Sequence, residues 1–362
     1  MNATNEENTS KKRRLTRKKT VIICLLAAIV VILTAGAATA AWIYKSGFEL
    51  TETAYIYIDT DDNVDSVSQK IADAAKPQSI KVFHLFANAL DLKEKIRTGR
   101  YEVTPDMTML QLVRNIRNHH EQPINLIVPS VRTMGAMASS LSQQLMIDSA
   151  SIANYMNDES HLEALGFTKE HLFAFFIPNT YEVYWDIKVE DLFKRLKREN
   201  DAFWNEERMA KLAEVSEYAG EEMTKEKVAT LASIVDSETA NNGEKPDIAA
   251  LYMNRMRKGM LLQSDPTVIF ALQDFTIRRV LHEHLKVDSP YNTYKYAGLP
   301  PGAIRVPSIA GMDAVLNHAK NNYIYMCAKE DFSGTHNFAV TYSEHQKNAA
   351  RYVKALNQRG IH

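Results

Sequence analysis

Cysteine is nearly absent: 362 residues carry two, Cys24 and Cys327. Cys24 lies inside an apolar run, which leaves one thiol for the folded part and excludes an internal disulfide there. This does not decide the compartment, because an oxidising space permits disulfides without demanding them. Net charge is also nearly absent, at −1, so there is no basic field for nucleic acid. Metal-ligand spacing is weak: His282 and His284 form an H-x-H pair, but no HExxH occurs, and no metal or other cofactor is expected. His336 and His345 are read as hydrogen-bonding within the fold. Internal repeats are missing, and low complexity is confined to the N-terminal tail. What is present is ordinary globular composition, 45% hydrophobic, in a chain long enough for two or three domains.

One long apolar run exists. "VIICLLAAIVVILTAGAATAAWIY", Val21 to Tyr44, has no charge and follows the basic stretch Lys11 to Lys19. Its length suits one membrane-spanning helix. The flank after Lys45 is acidic, through Glu49, Glu52, Asp59, Asp61 and Asp62. Basic before and acidic after predicts a cytoplasmic N-terminus and a working part outside. The competing reading is a signal peptide cleaved at Ala38-Thr39-Ala40. The continuation of the run through Trp42 and Ile43 favours the anchor.

The rest divides in two. Residues 45–130 read as a small α/β unit: strands at 54–58, 98–103 and 123–129, and helices at 64–75, 79–90 and 109–118, the last with Leu110, Val113 and Ile116 on its apolar face. The strand–helix–helix–strand order suits a binding module, and equally a spacer. In residues 131–362, the aromatic run "FAFFIPNTYEVYW" (173–185) reads as buried strand, and a polar amphipathic helix spans about 189–213. Thr224 is placed to cap the next helix.

That helix contains "LASIVDSETA", 231–240. Val228, Leu231, Ile234 and Val235 make an apolar stripe that Glu238 extends. Asp236 stands about 200° round the helix from Glu238 and is expected to be the more solvated acid. Glu238 falls in the last turn, before Asn241-Asn242-Gly243. Apolar neighbours and the negative end of the helix dipole both disfavour its anion, which is what a general acid near neutrality requires. A rim glutamate paired with an arginine satisfies the same pattern. Asp265-Pro266 reads as a helix cap followed by proline at the first helical position. Gln263 and Ser264 precede it, placed to line a cleft. Tyr291, Asn292, Thr293 and Tyr294 open "YNTYKYAGLPPGAI", where aromatics beside amides suit a sugar.

The stretches "LASIVDSET", "IAALYMNRMRKGMLLQSDPTVIFAL", "YNTYKYAGLPPGAI" and "SGTHNFAVTYSEH" together resemble the endolytic murein transglycosylases of the MltG (YceG-like) type, in that family's order and spacing. The resemblance implies an α+β architecture: a cytoplasmic tail (1–20), a transmembrane helix (21–44), a LysM-like subdomain (45–130) and a catalytic domain (131–362). It implies cleavage of nascent peptidoglycan strands between N-acetylmuramic acid and N-acetylglucosamine, leaving 1,6-anhydromuramic ends and stopping elongation. The place of work is the inner membrane, the catalytic domain facing the periplasm or outside, beside peptidoglycan synthases. The family's motif ends in two glutamates one residue apart, the second catalytic; that position is Glu238, and Asp236 stands at the first. Gln263, Ser264, Tyr291, Asn292, Thr293 and Tyr294 are the candidates for holding sugar. The sequence departs where the family has Glu-Gly and then Phe-Pro-Asp-Thr-Tyr. Here Phe173-Ala174 and Ile177-Pro178-Asn179-Thr180-Tyr181 remove a second acid, so Asn179 has no acid–base role. Two other classes remain: a hydrolytic muramidase with Asp265 as its second carboxylate, and a non-catalytic wall-binding anchor.

Overall fold

The structure is a computed structural model that describes residues 3–45 and 47–360, with residues 3–17 as backbone only. Most side chains of the expected basic tail therefore lie outside the described residues. Contacts divide the chain into two units, Met1–Pro123 and Ile124–His362.

The first unit begins with α1 (Ala3–Lys45), whose stretch Lys18–Lys45 is long and apolar enough to cross a membrane. Its side chains from Val21 to Leu33 are exposed on every face, so no protein core takes them. Then β1 (Ala54–Ile58), α2 (Val64–Ala75), α3 (Ile80–Ala89), β2 (Gly99–Val103) and α4 (Met109–Arg117) follow. The two strands pair antiparallel with Ile56 opposite Tyr101. Period-two alternation sends Ile56 and Ile58 inward and leaves Tyr55 and Tyr57 outward. Asn63 and Thr108 close reciprocal capping boxes at the starts of α2 and α4. The buried face of α4 is Met109, Leu112, Val113 and Ile116, the full one-sided helical set; Leu110, expected on it, is only half-buried.

The second unit opens with β3 (Ile124–Val128), which pairs antiparallel with β4 (Asn179–Val183), Leu126 opposite Tyr181. That pairing carries strand 124–128 into the larger unit, so the boundary expected at 130 falls at Pro123. Between the strands lie α5 (Met134–Ser142), α6 (Ser149–Asn157), α7 (Glu159–Ala164) and α8 (Leu172–Phe175). The aromatic run expected as one strand is thus helix first and strand second. Asn200 decides the break: its buried amide donates to the carbonyls of Ala174 and Phe175, ending α8, and Pro178 then holds Ile177 extended. Phe175 and Phe176 pack with Phe193 of α9 (Val189–Phe203).

The expected helix 189–213 is two. Phe203 and Trp204 turn into the core, and Asn205 caps α10 (Glu206–Ala219) by accepting from the Arg208 amide. After it come α11 (Lys225–Glu238), α12 (Lys245–Arg257), α13 (Asp265–Leu272) and α14 (Ile309–Leu316). The unit ends with β5 (Tyr325–Ala328) and β6 (His336–Ala339), paired antiparallel, and α15 (Tyr342–Gln358).

Thr224 caps α11 as expected, accepting from the Lys227 amide. Every residue from Val228 to Val235 is buried, because α8, α12, α13 and α14 surround the helix. Each large aliphatic side chain there contributes about 1.5–3 kcal/mol by leaving water. A helix apolar on all sides belongs in the middle of a domain. The aliphatic stripe read from sequence is real, but the opposite face is covered too.

Candidate active site

Glu238 is the last residue of α11, with Thr239 leaving the helix in extended conformation. Its Oε1 accepts from Tyr252 Oη at 2.7 Å and from Ser264 Oγ at 2.5 Å. Tyr252 comes from the middle of α12 and Ser264 from the turn before α13, so three elements converge on one oxygen. Neither Tyr252 nor Ser264 retains solvent contact beyond 2%. Desolvation raises the Glu238 pKa above the ordinary carboxylate value; the two hydroxyl donors oppose it, Asp265 adds to it, and His336 opposes it. Burial also pushes the Tyr252 hydroxyl well above its usual value, so it stays protonated as a donor. With both donors on Oε1, Oε2 is the oxygen left for a proton.

The carboxyl opens on a cavity of about 240 Å³. Tyr252, Arg255 and Leu251 of α12 form one wall, Gln263, Asp265 and Tyr294 a second, and Met326, Cys327, Ala328 and His336 of the β5–β6 hairpin a third. Asp265 accepts from Tyr294 Oη at 2.6 Å. Arg255 is buried and held by the carbonyls of Ile324, Leu261 and Leu262, while its Nη1 also donates to Gln263 Oε1 at 3.3 Å. Gln263 sits at φ +55°, a left-handed conformation unusual for glutamine, and lies directly on the cleft. His336 is fixed through Glu244, which accepts from its backbone amide at 2.7 Å.

Of the six residues expected to hold sugar, Gln263 and Tyr294 line the cavity, and Ser264 touches Glu238. Asn292, Thr293 and Tyr291 do not line it. Asn292 is fully buried and donates to the carbonyls of Leu285 and Val287. Thr293 accepts from the Ser264 amide and bonds Thr267, locking the turn before α13. Tyr291 packs on Phe270 beside Gly302, where a methyl group would come within 1.9 Å of the Glu170 carbonyl. These three shape the cleft from behind. Asn179 is exposed at the start of β4, accepts from its neighbour Thr180's amide, and does not line the cavity.

Two further expectations change. Asp265 is the first residue of α13, and the capping position is Ser264, whose side chain is taken by Glu238. The Asp265 carboxylate is thereby free to face the cleft. Asp236 is not the solvated acid. Its side chain is 4% exposed, paired with Lys245 Nζ at 2.7 Å, and accepts from the Ser308 amide and hydroxyl at the start of α14. α14 covers the face of α11 that the helical wheel assigned to water. Sequence reasoning missed Tyr252, Arg255 and His336 as cleft residues. Tyr252 had a signal, being the one hydroxyl on the apolar face of α12; Arg255 and His336 had none.

The YceG-like family model matches residues 56–351, which include Glu238 and the whole cavity. The chain belongs to the YceG-like family. A relative from Bacillus subtilis (strain 168), an endolytic murein transglycosylase, is 32% identical over 192 residues, 53% of this chain and 51% of its own. An endolytic murein transglycosylase of Streptococcus pneumoniae serotype 2 (strain D39 / NCTC 7466) is 29% identical over 137 residues, 37% of this chain and 25% of its own. The chain thus spans about half the length, or less, of these curated relatives. The crystal structure of a yceG-like protein from Listeria monocytogenes superposes with a TM-score of 0.55 at 25% identity, covering 82% of this chain and 99% of that one. YceG-like membership and the α+β fold agree.

Proposed function

We propose that this YceG-like protein is a membrane-anchored endolytic lytic transglycosylase of peptidoglycan, with Glu238 as acid and then base. One observation carries the reading: a desolvated carboxyl with a raised pKa, held by two hydroxyls on one oxygen, opens on a cleft with polar groups on all three walls. The proton on Oε2 passes to the glycosidic oxygen between N-acetylmuramic acid and N-acetylglucosamine. That bond breaks, and N-acetylglucosamine leaves as its C4 alcohol. Positive charge develops at C1 of the muramic sugar while Glu238 becomes a carboxylate stabilised by Tyr252 and Ser264. The sugar's own C6 hydroxyl then attacks C1 and gives its proton to Glu238, closing the 1,6-anhydro ring. No water is consumed, and one carboxyl serves both steps. Gln263 and Tyr294 are the groups on the walls that hold the sugar.

The basic stretch before Val21 and the acidic flank after Lys45 support a cytoplasmic N-terminus, with the cleft on the outer side of the inner membrane. The small unit is assigned as a LysM-like wall-binding module. The strand–helix–helix–strand order around one two-stranded sheet supports that assignment.

A hydrolytic reading is kept alive by one observation: the Asp265 carboxylate lines the same cavity as Glu238. A hydrolase uses such a second carboxylate to activate water or attack C1. The test is digestion of purified glycan strands in heavy-oxygen water, followed by mass analysis. Anhydromuramic ends without label are expected. Glu238→Gln is expected to lose at least the 10²–10⁴-fold that general acid–base catalysis supplies. Asp265→Asn is expected to raise KM by loosening Tyr294 while keeping the product anhydro. Labelled reducing ends, lost in Asp265→Asn, would establish the hydrolase.

A further inference from the structure

A second cavity, about 150 Å³, is lined by residues adjacent in sequence to the main cleft's: Ser237 precedes Glu238, and Pro266 follows Asp265. Its wall is otherwise apolar, from Ile269, Phe270, Phe275 and Ile277, with one charge, Arg132. Among the described residues exposed Arg132 makes no ion pair and no hydrogen bond. Its charge adds to that of Arg305, which is tied to Ser130 at 2.9 Å and has Asp236 as a counter-charge. A guanidinium with no ion pair, at the edge of a hollow lined by aliphatic and aromatic side chains, matches a planar carboxylate on an apolar stem, where two parallel hydrogen bonds form.

We propose that this cavity is a subsite for a carboxylate-bearing peptidyl substituent of the glycan strand, with Arg132 taking the carboxylate. The proposal rests on the peptidoglycan reading of the main cleft. The muramic sugar carries its substituent on the C3 oxygen, two ring carbons from the C1 at which the bond is cut, so the substituent leaves the catalytic cleft within one sugar ring of Glu238. It begins apolar, as lactyl and alanyl groups, and its first charge is the acid of the second amino acid. The apolar wall receives the first part and Arg132 the second. The hollow, about 150 Å³, is too small for a disaccharide. The main cleft thus reads the sugar, and this hollow tells a substituted strand from a bare one.

The test measures binding, not cleavage. It uses the full chain carrying Glu238→Gln, with N-acetylmuramyl-L-alanyl-D-glutamate and its dimethyl ester as probes in calorimetry. The acid is expected to bind at least tenfold more tightly than the ester. Arg132→Glu is expected to remove that preference, and Arg132→Lys to restore part of it. Arg132 is exposed, so circular dichroism of the variants is expected to match the parent. Equal affinity for acid and ester, a preference that survives Arg132→Glu, or no binding of the acid at millimolar concentration would each overturn the subsite. Failure of the transglycosylase reading shows separately, as wild-type protein that releases no anhydro ends from any strand.

Discussion

Tyr252→Phe removes one hydroxyl and leaves the ring in place, so it isolates the 2.7 Å hydrogen bond to Glu238. The ring is buried between α11 and the main cleft, and the change opens no large cavity. A hydrogen bond to a charged group is worth about 1.5–3 kcal/mol, which is roughly tenfold to hundredfold in an ionisation constant. The sign follows from which form the bond favours. Tyr252 donates to the carboxylate and so lowers a pKa that burial has raised. Without it the pKa rises further. The proposed first step needs protonated Glu238, and the activity falls with rising pH as that proton is lost. In Tyr252→Phe the fall begins at higher pH, while the maximal rate drops because the carboxylate formed during the reaction has one donor fewer. Ser264→Ala moves the limb in the same direction. Tyr294→Phe, whose hydroxyl bonds Asp265, leaves the limb in place. The assay is kcat/KM for release of anhydro ends from pH 5 to 9, with Glu238 titrated directly by carbon-13 NMR of labelled glutamate. A limb that moves to lower pH in Tyr252→Phe, in protein that stays folded, would refute the account of how this acid is tuned.

Two other outcomes follow from the same corner. A raised folded-state pKa at Glu238 means that the folded protein holds this proton more tightly than the unfolded chain. The associated stability is present below the unfolded value of about 4.3 and is lost as pH rises through the folded value. Glu238→Gln therefore gains stability over wild type with increasing pH, read as the difference in urea midpoints between pH 5 and 8. Asp236→Asn leaves Lys245, 7% exposed, without its counter-charge. A stability loss of about 3–5 kcal/mol is expected, measured by urea unfolding, with Glu238 chemistry impaired only as the last turn of α11 loosens.

Much of the candidate site was legible where local rules act alone. Glu238 stands on a helix whose aliphatic spacing and Asn-Asn-Gly ending are written in ten residues, and its burial and terminal position follow from them. The Thr224 cap and the first unit's strands and helices are likewise local. Most of the misreadings share one cause. Asn200 ends α8 from 25 residues away, and Asn205 starts a helix that periodicity alone runs together with α9. Leu285 and Val287 carbonyls claim the amide of Asn292. Glu238 claims the hydroxyl of Ser264, shifting the cap and freeing Asp265. Asn200, Asn292 and Ser264 each spend a polar side chain outside their own element; Asn205 is the exception, a local cap on the Arg208 amide. Arg255 stands on α12 but is aimed by the carbonyls of Leu261, Leu262 and Ile324, and His336 comes from a hairpin; no local pattern carries either placement.

Asp236 was misjudged for a further reason: a helical wheel shows which residues share a face, and not how many faces are covered. Once α14 lies on the second face, Asp236 has a structural task. Its two oxygens take Ser308, the cap of α14, and Lys245, the first residue of α12. These three contacts fix the rotation of α11 at its final turn, and therefore the direction in which Glu238 points. Gly311 records how closely the helices meet there, since a methyl group at that position would stand 2.6 Å from an Asp236 oxygen. Gly311→Ala should thus act like a weaker Asp236→Asn. The two carboxylates, two residues apart, divide the work by environment. Lys245 pairs with one; burial raises the pKa of the other against its two hydroxyl donors. The negative end of a helix dipole disfavours an anion, and α11 meets this at Asp236 with an ion pair and at Glu238 with a raised pKa.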